Sequence, residues 1–137
     1  MAPRLATAVG LVLAAALVVP ATAARPKAGS WSGDTKQNRS ISFKVTPGGA
    51  KVKAVKFGFK SQCDNGATST GTTNFSGKFN VNGGEFTARG GNSVVKGEFT
   101  RKRKAKGTLK ARSSYFDPIT YRSVPCTSGK VRWTADR

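Results

Sequence analysis

The 137-residue sequence has no histidine, only two cysteines and six acidic residues. Without histidine the commonest general base is missing, and with it most nucleophile–base–acid triads. Two cysteines with no histidine leave no donor set for zinc or for a ligated haem. The acids, Asp34, Asp64, Glu85, Glu98, Asp117 and Asp136, are spread along the chain, so a pair of catalytic carboxylates has no local basis. "SVVK" (93–96) has the S-x-x-K spacing of penicillin-recognising enzymes. That spacing works on a helix, where i and i+3 share a face; on a strand, Ser93 and Lys96 point to opposite sides. "CDNG" (63–66) offers Asp64 and Asn65 as oxygen ligands. A calcium loop supplies more carboxylates than this, and side chains folded back onto a turn explain the pair better. The expectation is a protein that is not an enzyme and has no metal or cofactor.

Long apolar runs are equally scarce. The one example, "LATAVGLVLAAALVV" (5–19), follows the basic "MAPR" and is closed by "PATAA". This is the basic, apolar and small-residue order of a secretory signal peptide. The run is short for a membrane span, which needs about 20 apolar residues. Cleavage is expected after Ala23 or Ala24, so that residues 1–24 are the leader and 25–137 are one domain. The exported chain then has no membrane span and is secreted or held at the cell envelope. Outside the cytosol Cys63 and Cys126 are expected to pair. Closing so long a loop stabilises by about 4 kcal/mol in the chain-entropy picture.

Positive charge is what the sequence has most of. Losing Arg4 with the leader leaves 23 basic residues against 6 acidic, a net of +17. Such a field attracts polyanions and opposes self-association, so a monomer is expected.

Patterning is of period two throughout. "SISFKVT" (40–46) puts Ile41, Phe43 and Val45 on one side. "VKAVKFGFK" (52–60) puts Val55, Phe57 and Phe59 together, with Val52 and Ala54 of the other parity, which predicts a bulge near Ala54. Residues 61–74 read as a long polar loop, and Asn82-Gly83-Gly84 as a hairpin turn. The densest basic stretch, "RKRKAKGTLKAR" (101–112), alternates from Lys104 onward, with Ala105, Gly107, Leu109 and Ala111 on the inner side. A disordered arm has no reason to keep that period; a half-buried strand requires it. Arg101, Lys102 and Arg103 then form a hairpin tip. "GKVRWTA" (129–135) turns Val131, Trp133 and Ala135 inward. The fold expected is all-β: a single antiparallel β-sandwich or flattened barrel of about eight or nine short strands, its folded core spanning about residues 29–136. The disulfide would tie a mid-chain loop to the start of the last strand.

The layout "GSWSGDT", a Gly-rich hairpin with Phe86, "KGEF", "AKGTL" and "CTSGKVRWTA" resembles small, mostly uncharacterised secreted β-sandwich domains of actinobacterial and other high-GC bacterial exported proteins. The resemblance spans roughly Gly29 to Ala135. It implies fold and export and brings no catalytic residues.

Two candidate surfaces follow. Arg101, Lys102, Arg103, Lys104, Lys106, Lys110, Arg112, Lys130 and Arg132 would make one cationic face if their strands are neighbours, suited to phosphate or carboxylate polymers. Lys44, Lys53, Lys56, Lys60 and Lys96 add to the outward charge. Lysine used only for solubility and for blunting sheet edges is the plain alternative. The second surface is "SSYFDPITYRSV" (113–124), read as a long loop with Tyr115, Phe116, Tyr121 and Arg122. The expectation there is a loop folded over the barrel end with its aromatics buried, and the alternative is stacking on sugar rings or bases. The function expected is non-catalytic binding of an anionic polymer at the envelope: a cell-wall polymer, an acidic glycan or extracellular DNA. The alternatives are a structural or adhesion-type module with incidental charge, and an antagonist that plugs an acidic target protein with the 113–124 loop.

Overall fold

The computed structural model describes residues 25–137; the leader expected over residues 1–24 lies outside them. Ten strands follow in chain order: β1 (Gly29–Thr35), β2 (Ser40–Val45), β3 (Lys51–Cys63), β4 (Thr68–Asn80), β5 (Glu85–Gly90), β6 (Ser93–Arg101), β7 (Lys104–Lys110), β8 (Arg112–Asp117), β9 (Arg122–Thr127) and β10 (Val131–Asp136). Among the described residues the only helical feature is a 3-10 turn at Pro47–Gly49, and none is a helix long and apolar enough to cross a membrane.

The chain is all-β, but it does not divide into the two sheets of a sandwich. One antiparallel sheet runs β5-β6-β7-β10-β1-β2-β3 and curls into a half-barrel, with β4 on the far edge of β3. Gln62 pairs with Thr68 of β4 and with Thr127 of β9. So β2 and β9 occupy successive stretches of one β3 edge, and the β8–β9 hairpin hangs beyond the end of the barrel. The gap between them is filled by a side chain. Gln37 Nε2 donates to the Lys60 carbonyl at 2.9 Å, and the Lys60 N–H donates to Gln37 Oε1 at 2.8 Å.

Two segments expected as loops are strands, which raises the count to ten. Ser61, Gln62 and the Thr-rich run from Thr68 pair as the far arms of β3 and β4, and residues 113–124 lie in the β8–β9 hairpin. Both arms project past the main core. There, neither face has to be apolar, so the two-residue signal vanishes while the β-branched threonines still favour extended backbone. The expected disulfide is present between Cys63 and Cys126, which face each other across β3 and β9. It joins two strands, not a loop and the start of the last strand.

Inside the curl is a layer of aromatic rings. Phe43 touches Trp31, Phe86, Phe99 and Trp133, with ring centroids 5.5–6.1 Å away. Across four neighbouring strands the inner row reads Phe86, Gly97, Gly107, Trp133. The outer two strands are three spacings apart, about 14 Å along a flat sheet, yet the Phe86 and Trp133 centroids are only 6.3 Å apart. The rings lean inward over the two glycines, which have no Cβ to stop them. The same device closes the curl: the Phe75 ring of β4 lies against Gly90 of β5.

A Cβ on Gly107 would overlap the Lys96 carbonyl oxygen and lie 2.7 Å from the Trp133 ring. Gly107→Ala is therefore expected to destabilise by about 2 kcal/mol or more in urea unfolding. An unchanged midpoint would show that the ring does not rest on the glycine.

Candidate anion-binding face

The face expected on β7 and β10 exists as neighbouring strands: Lys104 faces Asp136, Lys106 faces Thr134 and Thr108 faces Arg132. Its charge, however, is broken up. Lys104 Nζ pairs with Asp136 Oδ1 at 3.1 Å on open surface, where such a pair contributes at most about 1 kcal/mol. Lys106 faces Glu98, which in turn faces Glu85, and Asp34 lies one strand beyond Thr134. Four of the six acids thus sit on the outer side of this half. A shallow trough of about 690 Å³ crosses it. Glu85, Glu98 and Asp34 line it together with Lys36, Lys96, Lys106 and Arg132, so the two signs are interspersed. Arg112 leaves the row altogether: it belongs to β8, opposite Thr127. Lys130 lies just before β10, one residue from the Val131–Leu109 pair.

The uncompensated charge is on the other half. Lys44 of β2 faces Lys53 of β3, and Lys53 faces Lys78 of β4. All three point outward, since Phe43, Val45, Val52 and Phe79 point in. Lys51 and Lys56 flank the row, opposite Asn80 and Asn74. No acidic residue lies on β2, β3 or β4. Like charges directly opposite on a sheet destabilise it by roughly 0.2–1 kcal/mol per pair, and here two such pairs share the half-buried Lys53.

Two register shifts create the row. The pair Ser42–Lys56, continued regularly, would set Lys44 against Ala54; the shift after Ser42 sets it against Lys53. The pair Val55–Phe75 would likewise set Lys53 against Gly77, and the shift there brings Lys78 into line. Ala54 takes up the first shift with φ +51°, the bulge expected from parity. The bulge was readable in one strand, whereas the cross-strand register that turns it into a lysine row was not.

The tip Arg101, Lys102 and Arg103 gathers further charge. Lys27 N–H donates to the Lys102 carbonyl at 2.9 Å, and Arg137 N–H to the Arg103 carbonyl at 3.1 Å. Arg137 Nε also donates to the Ala28 carbonyl at 2.8 Å. The Arg103 guanidinium, then burial, Arg137 and Lys102 hold the Lys27 ammonium below the ordinary lysine value.

The 113–124 segment overturns the expectation of burial. Its exposures are 36 % for Tyr115, 61 % for Phe116 and 80 % for Tyr121, and Ile119, not singled out from the sequence, is the most open at 87 %. Arg122 faces Asp117 at the mouth of the turn. The Asp117 carboxyl accepts the Ile119 N–H at 2.9 Å, and this bond holds it below the ordinary carboxylate value. Ser93 is buried and Lys96 exposed, on opposite faces of β6.

A scan against protein-family models and searches of curated proteins and of solved structures find no match to this chain.

If Arg103 is the main source of the Lys27 shift, Arg103→Gln should return the Lys27 titration upward toward the ordinary lysine value, as read from its Cε shift by NMR. A Lys27 titration that ignores the substitution would mean that burial, not crowded charge, sets it.

Proposed function

We propose that the protein is a secreted, non-catalytic β-protein that binds an anionic polymer at the cell envelope: a cell-wall polymer, an acidic glycan or extracellular DNA. Wall polymers are the nearest of these to a protein leaving a bacterial cell. The observation that supports this reading is the row Lys44–Lys53–Lys78 on a face without acids. Solubility can be had from lysines spread apart and offset by a few acids, as on the β7–β10 half. It gives no reason to set three lysines directly opposite one another on neighbouring strands, with Cβ atoms at steps of about 5 Å. A chain of phosphates or carboxylates laid across the strands relieves that repulsion and releases its own counterions. The leader expected at the N-terminus and the Cys63–Cys126 disulfide support export, since disulfides persist outside the cytosol.

Three proteins matched in fold distinguish a face from mere net charge. They are the wild type, a Lys44→Gln/Lys53→Gln/Lys78→Gln variant and a Lys104→Gln/Lys106→Gln/Lys110→Gln variant. They are eluted by salt gradient from immobilised wall polymer, heparin and DNA. The first variant should elute well before the second on the preferred polymer, with the log K against log salt slope reduced by about 3. Both variants lose the same charge, so their elution together would reduce the binding to bulk electrostatics.

A further inference from the structure

We infer that the β8–β9 hairpin is an interfacial membrane anchor: Phe116, Ile119 and Tyr121 at its tip enter the headgroup layer of an anionic lipid surface, with Arg112 behind them at phosphate level. The inference is independent of the lysine row.

All the large hydrophobic side chains exposed among the described residues are Tyr115, Phe116, Ile119 and Tyr121, within one seven-residue stretch. No other large apolar side chain among the described residues is exposed, so the concentration is specific to this tip. The tip is also held stiffly. Six register pairs run from Arg112–Thr127 to Asp117–Arg122, the disulfide fastens the base to β3, and Asp117 fixes the turn. Little ordering entropy is then lost on docking.

The shape and chemistry of the tip favour lipid over the other occupants. A sugar ring needs a flat aromatic platform. Phe116 and Tyr121 instead meet edge-to-face, 6.2 Å apart at 70°, and the most exposed group is the aliphatic Ile119, which offers no stacking face. A specific protein interface buries about 800 Å² per partner, more than four side chains on a narrow convex tip supply. An aliphatic apex with a tyrosine at its shoulder is instead what the membrane–water boundary accepts.

Charge and length agree. Arg112 and Phe116 lie on one face of β8, four residues and so about 13 Å apart, while interfacial segments sink roughly 5–10 Å. With the tip at that depth, Arg112 stands at the phosphates. Arg89 and Lys110 line the cleft beside it, with Asp64 as the one acid there. The Asp117 charge at the tip is taken up by its own turn. One edge of β8 is unpaired, which limits the hairpin to the polar layer, because an open strand edge is not tolerated in hydrocarbon.

The test uses Phe116→Trp as a reporter. Trp31 and Trp133 are 1 % and 2 % exposed, so their emission stays constant and only the tip responds. Vesicles are phosphatidylcholine alone, or with roughly one-third phosphatidylglycerol to supply negative charge. The tip emission should shift to the blue on the anionic vesicles, and Ile119→Asp in the same background should abolish the shift and weaken flotation by about 10-fold or more. The Lys44→Gln/Lys53→Gln/Lys78→Gln variant should keep the shift, so loss of polymer binding and loss of tip insertion are separately visible. Emission that stays that of a water-exposed indole on both vesicles overturns the lipid assignment and leaves a protein cleft as the seat. Equal flotation of Ile119→Asp and wild type overturns it too, because the attraction is then charge alone.

Discussion

Four inward side chains on β2 and β3 cannot all reach the core in one continuous register. Ile41 faces Phe57 and Val45 faces Val52, and all four are buried. Moving from one pair to the other takes four steps along β2 and five along β3. The extra residue must go somewhere, and it goes to Ala54, at a positive φ that a non-glycine residue adopts at some strain. Phe43, wedged among four other rings, fixes the middle of β2 so that the mismatch cannot be absorbed there. The row of lysines on the outside is therefore set by apolar packing on the inside: the shift that rescues Val52 also sets Lys53 against Lys44.

This coupling explains why the two halves of the surface differ. On β5, β6, β7 and β10 the ladder is regular over the glycine row, and acids stand beside its lysines, with Lys106 beside Glu98 and Lys104 beside Asp136. On β2, β3 and β4 the register is shifted twice and no acid answers the lysines. A fold that tolerates this gives up some stability in exchange for a fixed line of positive charge. The hairpin at the other end gives up differently, by leaving apolar groups in water on a disulfide-braced arm.

Most of the architecture was legible wherever one side of a strand had to be apolar. The inward positions of β2, β7 and β10, Trp133 among them, the Ala54 bulge and the Arg101–Arg103 tip all follow from two-residue alternation. Where strands outrun the core, as in the arms of β3 and β4 and in β8–β9, alternation stops carrying information and the segments looked like loops. Which part of the basic surface is left without acids was hidden for a related reason. The local density of basic residues drew attention to 101–112, but compensation depends on which residue stands opposite. Glu98 opposite Lys106 and Lys78 opposite Lys53 are facts of strand order and register, which no single segment encodes. Ile119 was passed over because nothing in its neighbourhood tells an exposed turn isoleucine from a buried one.

The most direct measurement is the thermal stability of Lys53→Gln against wild type at low ionic strength, without and then with a saturating anionic polymer. If the lysine row is a stored repulsion that a polyanion relieves, the curves cross. The variant melts higher than wild type alone, by about 0.4–2 kcal/mol in stability for the two relieved pairs, and gains less on adding polymer, because ligand linkage stabilises the tighter binder more. A variant that is no more stable than wild type alone and gains as much from the polymer would contradict the account. Lys53 would then be an ordinary surface lysine.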